Sequence, residues 1–425
     1  MNFKQFSRFW INIALMLLLI SSCSYSDSVC YKNDNKCTKE NQFRYLLYDV
    51  NAPEGFNLRR DVYMRFAILA HQMQKSDNPA LKFKMVLPPW SHLVHWSYSE
   101  YPEHIPWSLY FDLKSLQMFA PVIEMHEFFS RYQKKYSKVI IEKVYTLQHF
   151  EDMFETGNFE DRLKIEECQD THKLNFFFYE NITAKNVHCL SYHGPATKLT
   201  ELFLNTSAGT ILINHAEVAL HEFFGNNLYW QARRSMRFNK ELKTIADDFR
   251  RIFLKSNDET DNTILPESWK HEKPKRNAIG GSYIAVHLRR RDFVRSRPNE
   301  TPNLDSVAQQ ITKILIKLNL NTVFIATDGP KDEFDTLSKM LVHYKLFKYT
   351  PSSVIKQKYK EGGVAIIDQI ICSYARYFIG THDSTFTFRI QEEREILGFP
   401  SDSTFNTLCK VVGQCHKPSI WTIVY

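Results

Sequence analysis

The stretch GGSYIAVHLRRRDF, residues 280–293, runs five mostly apolar residues into His287, then into Arg289, Arg290, Arg291 and Asp292. Ligands of open parallel sheets lie beyond the carboxyl ends of the strands. Guanidinium forks bind phosphate oxygens in pairs and do not lose their charge. His287 and the arginines therefore fit a phosphate site at a strand end. Alternate arginines point to opposite sides, so at least one of Arg290 and Arg291 is expected to be solvated or paired with Asp292. A second such element is THDSTFTFRI, where Ser384 and Thr385 open a helix after the strand YFIG. Hydroxyls and helix-end N–H groups then point at one place, although ordinary N-capping explains the serine equally well. The loop PEGFN, residues 53–57, is the third: Pro53 and Gly55 make a turn and Asn57 is expected to cap a helix from Leu58. Three anion-friendly strand ends together suggest a cleft for a nucleotide diphosphate.

Two carboxylates stand out beside these elements. Glu54 precedes Gly55, and by spacing alone it would be a partner for Arg59 or Arg60. Asp368 lies in the apolar run GGVAIIDQIICSYARYFIG. A buried carboxylate costs free energy unless it is hydrogen-bonded, so a ligand or a structural partner is expected there. No Asp-x-Asp occurs anywhere in the chain. The nearest approach to a zinc signal, HAEVALHE, sets His215 and His221 six residues apart, off a common helical face, and both are read as structural.

The elements that must position these residues alternate between strand and helix. FRYLLYDV (43–50), LKFKMVLPPW (81–90) and AGTILINHA (208–216) read as strands, and apolar residues at 58, 62, 66 and 69 read as a helix after the first. Positions 238, 242, 245, 249 and 252 give another helix. The polar stretch 255–277, without periodicity and with two prolines, is the linker candidate. Beyond it come a strand at 282–288, a helix at 304–318, the strand TVFIATD, a helix at 331–341, the apolar run 364–372, the strand YFIG and a last helix. Two doubly wound α/β domains facing each other are expected.

Length and composition agree. The 425 residues are 44% hydrophobic and 14% aromatic, enough for two cored domains. A formal charge of +7, from 54 Lys and Arg against 47 Asp and Glu, permits an anionic ligand without demanding nucleic acid. Lys4 and Arg8 before FWINIALMLLLI (9–20), then SSCSYS, read as a cleavable secretory signal over 1–23; the apolar run is short for a membrane anchor. Sequons at Asn181, Asn205 and Asn299 agree with that route. With Cys23 in the leader, close sequence pairing suggests disulfides Cys30 with Cys37, Cys168 with Cys189, and Cys409 with Cys415, leaving Cys372 as a buried thiol. The route also speaks against a nucleic-acid module.

PEGFNLRRD, VLPPW, VHLRRRDF, VFIATD, GGVAIIDQIIC and STFTFRIQEEREILG, in this order from about residue 43 onward, resemble the protein O-fucosyltransferases. The glutamate before GFN and the arginine run after HL favour the type 2 branch, whose acceptors are folded thrombospondin type 1 repeats. The resemblance implies a GT-B fold: a first domain over 24–254 on the acceptor side, the linker, and a donor-binding domain over 278–425 whose last segment packs back on the first. It also implies GDP-fucose as donor, no metal ion and transfer to Ser or Thr with inversion. By the same resemblance Glu54 is the base and Arg289 stabilises the leaving GDP. His287, Ser384, Thr385 and Phe386 belong to the phosphate elements, Asp368 to the guanosine end, and the loop Pro53, Gly55, Phe56 and Asn57 to the diphosphate. A type 1 enzyme acting on EGF-like repeats, or a lumenal binding protein without turnover, are the alternatives. The C-terminal IWTIVY carries no KDEL-like signal, so the expected residence in the endoplasmic reticulum rests on the resemblance and secretion stays open.

Overall fold

A computed structural model describes residues 43–91, 93, 104–133, 138–168, 182–413, 415 and 418–425. The leader, the Cys30 with Cys37 pairing and Asn181 lie outside the described residues. The first half is built on β1 (Arg44–Tyr48), α1 (Phe56–Lys75), β2 (Phe83–Leu87), β3 (Val122–Glu124), β4 (Val139–Gln148), β5 (Arg162–Glu166), β6 (Ile182–His193) and β7 (Thr210–Asn214). These strands form one sheet in the order β3-β2-β1-β7-β4-β6-β5. Every pairing is parallel except β5 on β6. Strand β1 is central, and Leu46 and Leu47, on opposite faces, are both fully buried, as a parallel strand covered by helices requires.

Helices α2 (Asn227–Ser235) and α3 (Lys240–Phe253) lead to the second half. It contains β8 (Gly281–Leu288), α4 (Leu304–Leu318), β9 (Thr322–Thr327), α5 (Lys331–Met340), β10 (Lys345–Phe347), α6 (Ser353–Ser373), β11 (Ala375–Gly380) and α7 (Thr385–Leu397). Its sheet, all parallel, has the order β10-β9-β8-β11. Both sheets thus have the strand-order reversal of a doubly wound fold, between β1 and β7 in the first and between β8 and β11 in the second. At such reversals the loops diverge and leave a crevice.

Helix α3 ends where the expected first domain ends, yet its aromatic face lies on the second sheet. Phe249 packs against Phe324 and Tyr349, with ring centroids 5.7 and 5.5 Å away. The segment 255–277 contains only the 3₁₀ turn Trp269–His271, but its start is tied down. Arg250 of α3, fully buried, reaches Asp258 at 2.7 Å, Asp261 at 3.2 Å and Ser256 at 3.2 Å, and its guanidinium lies 3.9 Å from the centre of the Tyr374 ring. At the other end of the chain, Trp421 touches Phe224 and Phe388 while Tyr425 lies under Arg234.

Cys168 with Cys189 and Cys409 with Cys415 are bonded, and Cys372 is a buried thiol within α6. Asn205 and Asn299 are both exposed. No helix among the described residues is long and apolar enough to cross a membrane.

Replacing Arg250 by Met removes the cation from carboxylates that are partly or wholly buried. Breaking a buried pair in this way costs about 3–5 kcal/mol. The Arg250→Met protein is expected to unfold at a lower denaturant midpoint with an unchanged slope; an unchanged midpoint would show that the segment holds without this anchor.

Candidate active site

The loop after β1 is shaped by its backbone. Glu54 N donates to Asn51 O at 3.0 Å around the turn at Ala52 and Pro53. Helix α1 then opens at Phe56 with Gly55 as its N-cap, two residues earlier than the sequence suggests, and without a side-chain cap. Asn57 is consequently inside the helix and is not its cap. Phe56 turns into the core between Trp90, Tyr110 and Phe111, so what it can offer a ligand is its backbone.

Glu54 is half-buried. Neither neighbouring arginine pairs with its carboxylate. Arg59 sends its donors to the carbonyls of Glu54, Ala52 and Ser91 at 3.0, 3.3 and 3.3 Å, and Arg60 reaches Asn57 and Gln369. Arg59 therefore straps the loop through its main chain and leaves the carboxylate available. Burial raises the Glu54 pKa above its ordinary 4.5, with the charges of Arg59 and Arg65 opposing in part.

At the second reversal β8 and β11 run side by side, with His287 opposite Gly380. A Cβ on Gly380 would meet Thr387 Oγ1 at 2.5 Å, so glycine is what lets α7 settle this close to the strand ends. His287 shares a hydrogen bond of 2.8 Å with Thr387 and stacks on Phe386 at 4.4 Å. Burial, assisted by Arg289, pushes its pKa down to about 3, so the ring is neutral at physiological pH.

The arginine run divides its work differently from the expectation. It is Arg289 that pairs with Asp292, at 2.5 Å, and it also pairs with Asp328. Arg290 is buried and turned away, bonded to Glu333 at 2.7 Å and to Pro302 O at 2.8 Å, while Arg291 Nε donates to Asp328 O at 3.0 Å. Arg290 is thus a structural residue, held by Glu333 and not by Asp292, because β8 ends with its side chain directed at α5.

Ser384 precedes α7 in the N-cap position, but its hydroxyl makes no capping bond. The residue is buried, while Thr385 is exposed and Phe386 half-buried. Capping, the alternative explanation for this serine, is therefore not what its side chain does here.

The two reversals are joined through α1. Asn57 Oδ1 accepts from Gln369 Nε2 at 2.8 Å and from Arg60 Nη1 at 3.2 Å, and Arg60 Nη1 also donates to Gln369 Oε1 at 2.8 Å. One turn on, Asp61 meets Arg389 of α7 at 3.3 Å. Gln369 is the neighbour of Asp368, whose Oδ1 is buried without a hydrogen-bond partner; the nearby Tyr349 hydroxyl is in the same condition. Burial pushes the Asp368 carboxyl up to about 8, Lys348 opposing, and the Tyr349 hydroxyl up to about 12 with Asp368 contributing. An acceptor oxygen with no donor in the protein suits the N–H groups of a heterocycle.

The structure thus places Glu54 and Asn57 at one reversal and His287, Arg289, Ser384 and Phe386 at the other, with Asp368 tied to the first through Gln369. Sequence reading took Arg60 only as a possible partner of Glu54 and passed over Gln369. The signal available was their position beside Asn57 and Asp368, and it acquires meaning only once the two helices touch. His221 is structural, bonded to Asp61 at 3.1 Å. Among the described residues no three His, Cys, Asp or Glu side chains converge as a metal site.

The profile of the family described as GDP-fucose protein O-fucosyltransferase matches residues 45–397. GDP-fucose protein O-fucosyltransferase 2 of Drosophila melanogaster is 41% identical over 406 residues, covering 90% of this chain and 82% of the relative. That of Homo sapiens is 40% identical over 396 residues, covering 90% of each. Among solved structures, POFUT1 in complex with GDP-fucose superposes with a TM-score of 0.57 at 15% identity, over 87% of this chain and 99% of that one. That likeness establishes the GT-B fold, two Rossmann-like units facing across a cleft. The profile match over most of the chain and the identity to these relatives establish the rest: the chain belongs to the GDP-fucose protein O-fucosyltransferase family and is a fucosyltransferase.

Proposed function

We propose that this enzyme transfers fucose from GDP-fucose, with inversion, to a Ser or Thr hydroxyl of a folded thrombospondin type 1 repeat in the lumen of the endoplasmic reticulum. The observation that carries the reading is the pairing of an unpaired, half-buried carboxylate at one strand-order reversal with an arginine and a helix start at the other, cross-linked through α1.

In this reading Glu54 accepts the acceptor proton as the hydroxyl oxygen attacks the sugar carbon. Its partial burial favours this task, because a carboxylate held above the usual range binds a proton more readily. The bond to the diphosphate breaks on the opposite face of the sugar, and negative charge grows on the leaving GDP. Arg289 and the opening amides of α7 stabilise that charge. Asp292 and Asp328 orient the Arg289 fork, while neutral His287, stacked on Phe386, adds no competing charge. The unpartnered Asp368 oxygen accepts the N–H groups on the guanine edge. No metal is needed in this scheme, since fixed cations and amides face the diphosphate.

Identity to relatives named type 2 favours thrombospondin repeats over EGF-like repeats as acceptors. Labelled fucose transfer with EDTA present is expected on a folded thrombospondin repeat and not on the same repeat reduced and unfolded, nor on a folded EGF repeat. Transfer to the EGF repeat alone would overturn the acceptor assignment. Glu54→Gln is expected to keep GDP affinity and lose transfer by about a hundredfold or more, whereas Arg289→Ala weakens both. In the parent enzyme the rate should fall as pH drops through the raised Glu54 value, since only the carboxylate accepts the proton.

Asp368 gives a binding counterpart. If its ionised form accepts from guanine, GDP binding tightens as pH rises towards about 8. Asp368→Asn replaces one acceptor by a donor facing donors, and calorimetry should show GDP affinity about tenfold lower or worse with this pH dependence gone. An unchanged profile would move the base edge elsewhere.

A further inference from the structure

At the first reversal two strand-end loops are bonded to each other. Ala216 N donates to Asp49 O at 2.9 Å, and Asn51 N donates to Glu217 Oε2 at 3.1 Å. Because Glu54 N in turn donates to Asn51 O at 3.0 Å, the Glu217 side chain is one peptide unit away from the hydrogen bond that closes the Glu54 turn. The turn that presents Glu217 is itself constrained. His215 sits at φ 54°, ψ 46°, the left-handed region disfavoured for any residue with a Cβ, and such conformations collect at functional sites. From the other side Arg65 of α1 donates to Glu217 O at 3.1 Å and Ala219 O at 2.5 Å. Two helix-borne arginines therefore grip the two loops by their carbonyls, Arg59 the one with Glu54 and Arg65 the one with Glu217.

Holding Asn51 N needs only an oxygen, which a glutamine would supply at smaller desolvation cost. The residue is instead a carboxylate, with its side chain 15% exposed. The charged groups acting on it are Arg59 on α1, Glu54 on the loop after β1, and His215 on its own turn, whose Nδ1 is 3.8 Å away, while Arg65 of α1 holds its backbone carbonyl. Burial first, and the Glu54 charge as well, raise the Glu217 pKa, while the backbone N–H groups and His215 oppose. Glu54 itself is raised by burial, with Arg59 and Arg65 opposing.

We propose that Glu217 is a positioning residue for Glu54, fixing the Asn51–Glu54 turn through the Asn51 N–H. The inference rests on the reading of Glu54 as the base, and it assigns a role in turnover to a residue that touches neither donor nor acceptor in that reading.

The test uses the whole chain with GDP-fucose and a folded thrombospondin repeat, and follows kcat/KM against pH. Glu217→Gln keeps an acceptor for Asn51 N and removes the charge. Glu54 stays in place, so kcat/KM, its acid limb and GDP affinity are all expected to stay close to those of the parent, because burial and not Glu217 is what raises Glu54. Glu217→Ala loses the hydrogen bond too, and kcat should fall about ten- to a hundredfold from misplacement of the base, with Gln restoring most of it. A kcat unchanged in Glu217→Ala, or in the shorter Glu217→Asp should the alanine protein not fold, would overturn the inference, as would a loss of kcat that Gln fails to restore; a purely structural glutamate would move stability and leave kcat of the folded protein alone. Full activity in Glu54→Gln would instead overturn the base assignment and this inference with it, so the two failures are distinguishable.

Discussion

The architecture depends on a buried charge network between α1 and α7. Asp61 of α1 faces Arg389 at 3.3 Å, Arg65 at 2.5 Å and His221 at 3.1 Å. Burial alone would raise its pKa, but the hydrogen bond from His221 and the charges of Arg389 and Arg65 hold it well below the usual carboxylate range. Arg389 shares Glu392 with Arg233 of α2, at 3.1 and 2.7 Å. None of these charges tolerates the interior without its partners. Because the partners come from both halves of the chain, the requirement for pairing fixes how α1 lies against α7. Everything in the cleft inherits that orientation, since α1 begins at the Glu54 loop and α7 at the Ser384 loop.

Two kinds of electrostatic environment result a short distance apart along these helices. At the first reversal three carboxylates, Asp49, Glu54 and Glu217, gather around Arg59, with Arg65 also acting on Glu54. Partial burial there favours proton uptake by Glu54 against the pull of these arginines. At the second, Arg289 and the opening amides of α7 supply positive potential, and the histidine beside them is kept neutral by burial. In the proposed reading the proton acceptor and the anion stabiliser thereby belong to different strand-order reversals, which suits a displacement whose nucleophile and leaving group lie on opposite faces of one carbon.

Much of the second half was legible in the sequence. Strand β8, helix α4, strand β9 and helix α7 fall within a residue or two of their expected places, because each has an uninterrupted apolar run or a clear helical spacing. The first half was less open. The long pair β4 and β6 went unread, since VIIEKVYTLQ mixes charges into its apolar positions and the first half of ITAKNVHCLSYH is largely exposed at the sheet's edge region. The start of α1 was misplaced because Asn57 has the chemistry of a cap while its actual partner, Gln369, lies 312 residues away.

Residue types and local spacing determined which groups could act: a carboxylate in a tight loop, arginines after a buried strand, a serine before a helix, and an acidic residue in an apolar helix. They also determined the alternation of strands and helices, since periodicity is a property of neighbouring positions. Only the tertiary structure decided which arginine is structural, that the Ser384 hydroxyl is not a cap, that Asp368 Oδ1 lacks a partner and that Glu217 bonds the Asn51 amide. Those outcomes depend on hydrogen bonds and charges between segments that are far apart in the chain, and on how much water the fold excludes from each; neither quantity exists until the helices have packed.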